Sequence, residues 1–258
     1  MIDVTVIIPQ RDAGELLKWH IAALSRELQR LDQSFEIIVV DDASSPQTMR
    51  QLHELLTNNP LLRVIRLHKP TGISGAITKG MAAAKGAVVV TTEAGRRFDV
   101  SQIKDLLDGL VRADFVSGKP VRTGWGKFWQ RLTRIPRQAI IGLDVHDVDC
   151  LFWAARREAI ENTELGKGMH RFLPTLVTMR GYRVAEILVQ TNDQPQPLHE
   201  RRLKLGDLLA MRWLRRQSQR PISVELFAAS PQLSTVGDSA GNTSSPSETT
   251  PMPTRKSA

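Results

Sequence analysis

The chain has 258 residues, enough to bury a sizeable core as one large domain or two small ones. Its net charge of +8 points to an anionic partner such as nucleic acid, acidic lipid or a phosphorylated ligand. A single cysteine, Cys150, excludes an internal disulfide framework and most cysteine metal sites.

The N-terminus shows no basic region followed by a long apolar stretch. No apolar run approaches the ~18 residues of a membrane span. A cytoplasmic chain is expected, able to rest on a membrane surface.

Val4–Pro9 reads as an apolar strand. Leu17, Ile21, Leu24, Leu28 and Leu31 recur at four- and three-residue steps and mark one face of a helix. Phe35–Val40 is a second strand, Thr48–Leu56 a helix ended by Asn58-Asn59-Pro60, and Arg63–Leu67 a third, shorter strand. Ile73–Lys85 is an alanine-rich helix opened by Gly72, followed by a strand at Ala87–Val90, a helix at Val100–Val111 and a strand at Ala113–Ser117. This alternation predicts a parallel sheet covered by helices on both faces.

After Gly118 the rhythm changes. Gly124–Ile141 is basic and aromatic, Val148–Ala154 is a strand candidate, Met169–Arg180 a helix ended by Gly181, and Val184–Val189 another strand. Leu203–Arg216 reads as a basic amphipathic helix. From about Ala229 the chain is rich in Ser, Thr, Pro and Gly and cannot bury enough surface to offset its ordering entropy, so disorder is expected over 229–258.

The most informative stretch is the second strand, where an apolar run breaks off at two adjacent carboxylates, Asp41 and Asp42. Ligands of open α/β sheets bind beyond the carboxyl ends of such strands, where a carboxylate can accept hydrogen bonds from a base or a sugar hydroxyl. A cap on the following helix, by Asp42 or Ser44, is the structural alternative. Gly72-x-x-Gly75 is no Walker loop, since no Gly-Lys-Ser/Thr follows in register. Nothing matches a reading helix or an RNP-type strand, so no nucleic acid is expected.

Several fragments fall in a meaningful order: Val6-Ile-Ile-Pro9, Val40-Asp-Asp-Ala-Ser-Ser45, Lys69-Pro-Thr-Gly-Ile-Ser-Gly-Ala76, Asp147-Val-Asp-Cys150, His170-Arg-Phe-Leu-Pro and Gly181-Tyr-Arg-Val-Ala-Glu-Ile. Over roughly residues 2 to 215 this order resembles the family 2 glycosyltransferases, in their dolichyl-phosphate mannosyl- and glucosyltransferase-like branch.

The resemblance implies an α/β GT-A fold, Rossmann-like, with a mostly parallel sheet flanked by helices. It implies inverting transfer from a nucleoside-diphosphate sugar, often to a polyprenyl phosphate. It divides the chain into a nucleotide-sugar half (1–118) and an acceptor half (119–220). It assigns Pro9, Asp41, Asp42, Lys69 and Gly72 to the nucleotide sugar, with Thr92 and Arg96 expected beside them, and Asp147 to the acceptor side as general base or orienting group.

Departures from the pattern are informative. The family's fourth strand ends in Asp-x-Asp, which holds Mg²⁺ or Mn²⁺ against the diphosphate. Here the expected carboxylates fall on Thr92 and Ala94. Glu93 is one position off and, on a strand, would face the other way; it and Asp99 are the remaining candidates for a metal. Arg96 and Arg97 follow directly and could supply fixed positive charge to a departing diphosphate.

Trp125, Phe128 and Trp129 sit at i, i+3 and i+4 among Lys127, Arg131 and other cations, a pattern suited to a lipid-phosphate acceptor at an anionic membrane surface, or to an ordinary core-facing helix. The leading reading is a glycosyltransferase. The rival is a catalytically inactive relative that keeps the fold as a nucleotide-sugar-binding or membrane-associated scaffold.

Overall fold

The computed structural model describes residues 2–95, 98–121 and 150–191, and the backbone of 224–226. The two basic-aromatic stretches, 124–141 and 203–216, and the Ser/Thr/Pro-rich tail lie outside the described residues.

The strands are β1 (Val4–Gln10), β2 (Phe35–Asp41), β3 (Leu62–Arg66), β4 (Val88–Thr91), β5 (Phe115–Pro120), β6 (Trp153–Arg156), β7 (Val184–Val189) and β8 (Val224–Leu226). They form one eight-stranded sheet in the order β3-β2-β1-β4-β6-β5-β7-β8. Every pairing is parallel except those of β6, which runs against both β4 and β5. The sheet is continuous across residue 118, which lies inside β5.

Among the described residues the helices are α1 (Glu15–Arg30), α2 (Pro46–Asn58), α3 (Gly72–Ala83), α4 (Ile103–Gly109), α5 (Arg157–Ile160) and α6 (Leu173–Met179). Alternation along each strand sorts side chains to two faces. Val4, Val6 and Ile8 of β1 pack with α1, α2 and α4, whereas Ile7 packs with α3, α5 and α6. The predicted α1 stripe is buried at Leu17, Ile21, Leu24 and Leu28, and Leu31 packs against the same core from the helix end. Both faces of the sheet are therefore covered, which explains why β1 and β2 read as unbroken Val/Ile runs.

Two segments differ from the sequence expectation. The 100–111 and 169–180 helices each begin as a short 3₁₀ turn, Val100–Gln102 and Met169–Phe172, before the α-helix proper. Asp99 caps the first of these turns through Ser101 N. The strand expected at Val148–Ala154 begins only at Trp153. Cys150, Leu151 and Phe152 are buried without being strand, and the Leu151 carbonyl accepts from Thr91 Oγ1 at 2.6 Å.

Because β6 is antiparallel to β5, Pro120 and Trp153 lie at the same edge of the sheet, the one carrying the carboxyl ends of β1 and β2. The opposite edge is locked by Glu36. Its buried carboxylate accepts from Thr5 Oγ1, Arg63 Nη1 and Lys85 N at 2.6–2.8 Å. Burial pushes its pKa up, but these hydrogen bonds together hold it below the ordinary value.

Helix α3 lies tightly on β1 at Gly80. A Cβ there would stand 2.5 Å from Ile7 Cγ2, on a fully buried β-branched side chain with little freedom to move. Gly80→Ala is expected to lower stability by ~1–3 kcal/mol, read as a reduced midpoint in urea unfolding with an unchanged slope.

Candidate functional site

At the carboxyl edge of the sheet, a cleft of about 590 Å³ opens between the tips of β1 and β2, the start of α3 and the segment after β4. Pro9, Gln10 and Arg11 form one wall, Asp42, Gly72 and Ile73 the second, and Glu93, Ala94 and Leu151 the third. The structure thus brings Pro9, Asp42, Gly72 and Glu93 together. Asp41 sits behind this surface, and Lys69 is exposed on the loop between β3 and α3 and does not line the cleft. Arg96, Trp125, Lys127, Trp129, Arg131 and Asp147 lie outside the described residues.

The two adjacent aspartates do different work. Asp41 is fully buried; one oxygen accepts from Gln10 Nε2 and the other from Ser44 N at 3.3 Å, with the Arg66 guanidinium 4.0 Å away. Gln10 Oε1 in turn accepts from Ala13 N at 3.1 Å, so this amide joins the β1 tip to the β2 tip. Asp42 reaches across to α3. It accepts from Thr71 N at 2.6 Å, Thr71 Oγ1 at 3.0 Å and Gly72 N at 2.9 Å. It therefore caps α3, not the next helix in sequence, and its negative charge complements the positive end of that helix.

The next helix, α2, is capped by Ser45, which accepts from Thr48 N, while Asp12 Oδ1 accepts from both Ser45 N and Thr48 Oγ1 at 2.9 Å. Asp12, Ala43 and Gly72 hold positive φ angles of 55°, 59° and 75°, so the cleft rim is a set of sharp left-handed turns. Such turns cost a non-glycine residue ~1–2 kcal/mol and persist where surrounding bonds fix them.

Around the degenerate metal motif, the finding differs from the sequence expectation. β4 ends at Thr91, so strand alternation does not extend to residues 92–95. Thr92 is fully buried, with its hydroxyl 3.2 Å from His20 Nε2 on α1, while Glu93 and Ala94 both line the cleft. Asp99, the other carboxylate considered, borders a separate cavity of about 340 Å³ behind this loop, together with His20, Trp19 and Gly95. Among the described residues no group of three His, Cys, Asp or Glu side chains converges. Of the two carboxylates lining the cleft, Asp42 is engaged in capping α3 and Glu93 is the one to offer an oxygen donor to a divalent cation, which fits an ion such as Mg²⁺ that takes one or two carboxylates and completes its shell with phosphate oxygens and water.

Sequence reasoning missed three residues of this site: Gln10, Arg11 and His20. Arg11 is the one cation among the described residues lining the cleft. His20 had a legible signal, since it stands three after Leu17 and one before Ile21, on the buried face of α1. His170 approaches from the far side of α3, where Ser74 Oγ lies 2.8 Å from its Nδ1 and 3.2 Å from its backbone N.

The profile of glycosyl transferase family 2 matches residues 5–164. This chain belongs to that family. Among curated relatives, the family 2 chain is 27% identical over 196 residues to a dolichol-phosphate mannosyltransferase from Pyrococcus furiosus, covering 71% of this chain and 55% of the relative. It is 24% identical over 205 residues to a dodecaprenyl-phosphate galacturonate synthase from Rhizobium johnstonii, covering 73% and 58%. The chain thus spans little more than half the length of these relatives.

Among solved structures, it superposes with a TM-score of 0.62 and 18% identity on a mannosyltransferase from Pyrobaculum calidifontis in complex with GDP-mannose and Mn²⁺, covering 85% of this chain and 65% of that one. A glucosyl-3-phosphoglycerate synthase from Mycobacterium tuberculosis, in complex with Mn²⁺, UDP-glucose and phosphoglyceric acid, gives 0.63 at 17% identity, covering 82% and 80%. These likenesses establish the GT-A architecture of the family 2 domain.

Burial lowers the pKa of both His20 and His170 to about 4. Each ring is neutral when folded but titrates near 6.5 when unfolded, so its contribution is fully present above pH 6.5 and is lost as the pH falls toward 4. For the well-buried His20 the loss is on the order of 2–3 kcal/mol. Urea unfolding between pH 7 and pH 4.5 should show this decline, and His20→Gln should make the decline shallower. Asp42→Ala should lower stability by ~1–2 kcal/mol at neutral pH in the same assay, because α3 loses its cap.

Proposed function

We propose that the chain transfers a sugar from a nucleoside-diphosphate sugar to a phosphate-bearing acceptor of the polyprenyl type, by inverting displacement. The observation that carries the reading is a carboxylate, Glu93, facing the same strand-tip cleft as Asp42, Pro9 and Arg11. Membership of family 2 and the polyprenyl-phosphate transferases among its relatives support the same chemistry.

In this reading Pro9, Asp42 and Gly72 shape the pocket for the nucleoside, with Asp41 holding the β2 tip in place behind them. Lys69 stands outside the cleft on the loop before α3, and Thr92 acts from behind the third wall through His20. The acceptor oxygen attacks the anomeric carbon from the face opposite the diphosphate; the new C–O bond forms as the bond to the diphosphate breaks, and the nucleoside diphosphate leaves.

Negative charge builds on the leaving oxygens and must be met by fixed positive groups. Arg11 brings one guanidinium to the cleft, and Arg96, two positions after the cleft-lining Ala94 in sequence, is assigned to the same charge. A divalent cation, when bound, supplies further charge there, and Glu93 is the residue that would hold it.

Asp147 is assigned to the acceptor, as general base for a hydroxyl or as an orienting group for a phosphate. It stands four residues before Leu151, a wall of the cleft, so the chain keeps it within ~14 Å of that wall. Trp125, Lys127, Trp129 and Arg131 belong to the same excursion of the chain and are assigned to an anionic membrane surface. Among the described residues no helix is long and apolar enough to cross a membrane, so this surface would serve as the contact with a lipid-borne acceptor.

Calorimetry with UDP- and GDP-sugars, with and without Mn²⁺, tests the donor site. Binding is expected, with Glu93→Gln weakening the Mn²⁺-dependent part about tenfold or more. Absence of binding to every nucleotide sugar under both conditions overturns the reading. Asp147→Asn should reduce turnover ~100-fold while nucleotide affinity stays within a few-fold of native.

A further inference from the structure

The segment that carries Glu93 is fixed at both ends. Thr92 N donates to the Ile7 carbonyl at 3.2 Å, and at the other end Phe98 stacks on Phe152 with ring centroids 5.1 Å apart. Over residues 92–95 the backbone has left strand geometry and separates two hollows. On one side is the cleft, faced by Glu93 and Ala94; on the other is the cavity of about 340 Å³ behind the loop, faced by Gly95 and His20.

One side chain spans the segment from behind. His20 projects from the buried face of α1 and is only 5% exposed. Its Nε2 lies 3.2 Å from Thr92 Oγ1, and the ring shares a cavity wall with Gly95, whose backbone favours the protonated imidazole. The two contacts bracket Glu93 and Ala94, the two residues of the loop that line the cleft.

Packing alone does not account for a histidine here. Its helical neighbours on the same face are Leu17, Ile21 and Leu24, which fill the core with no polar atoms. An imidazole at that position leaves polar atoms to be satisfied, and the groups that satisfy it belong to the loop. A side chain from a rigid helix that touches an irregular loop at two points limits where the side chains between those points can go.

We infer that His20 is a positioning residue: by holding Thr92 and Gly95 from α1, it presents the Glu93 carboxylate to the diphosphate end of the donor cleft. This inference rests on the donor-site reading above for its functional consequence. The mechanical part, one imidazole restraining the 92–95 loop, stands apart from it.

His20→Leu keeps most of the volume and removes both polar contacts, whereas His20→Gln keeps one donor and one acceptor on the same helix. Amide hydrogen exchange of the ligand-free full chain reads the restraint directly. Exchange at Glu93, Ala94 and Gly95 should speed up about tenfold in His20→Leu and stay within about threefold of native in His20→Gln, a tenfold change being the expected scale for one lost buried hydrogen bond. Unchanged exchange in His20→Leu overturns the inference.

Calorimetry with Mn²⁺ and a nucleoside diphosphate reads the consequence. Affinity should fall about tenfold in His20→Leu and recover in His20→Gln. Equal losses in both variants would mark a packing role and overturn the inference. If His20→Leu fails to fold, Thr92→Val removes only the hydroxyl at the other end of the contact and should give the same exchange signature. A native chain that binds no nucleotide would overturn the donor-site reading, while the exchange measurement would still decide whether His20 restrains the loop.

Discussion

Two neighbouring carboxylates at the end of β2 determine the shape of the cleft. Asp41 turns back into the sheet, where Gln10 and Ser44 hold it, and Asp42 turns forward to the first amides of α3. A left-handed residue, Ala43, comes next and starts the chain toward α2. Together these contacts fix three elements, the tips of β1 and β2 and the start of α3, with backbone donors and buried acceptors in place of mobile surface side chains. Buried polar groups satisfied in this way rigidify a site, whereas unsatisfied ones would destabilise it.

The third wall is held differently. Beyond Thr91 the chain leaves the ladder, and its position depends on contacts to other elements: Ile7 at one end, Phe152 at the other and His20 between. The cleft therefore combines two walls set by strand tips and helix caps with one set by side chains from α1. Charge is distributed in the same sense, with the carboxylate of Glu93 on the loop and the guanidinium of Arg11 across from it.

Much of the architecture was legible because burial on both faces leaves continuous Val/Ile runs in β1 and β2 and a four-and-three spacing in α1. The same signal misled where residues are buried without forming a ladder. Cys150-Leu-Phe152 looks like strand by composition, but its apolar side chains fill the core from a coil. The identity of the site residues was less accessible still. That Asp41 is occupied by Gln10, and Asp42 by Thr71 and Gly72, depends on partners 29 to 31 positions away, which no local pattern reports. Thr92 and Glu93 exchanged their expected directions because alternation holds only while the strand lasts, and β4 stops one residue earlier.

The single reversed strand, β6, sets how this architecture accommodates change. The excursion between Pro120 and Trp153 starts and finishes on one rim of the sheet, so its length and composition can vary without shifting the register of any parallel pair. The parallel part of the sheet and the tips that shape the cleft are thereby insulated from whatever is inserted at that rim.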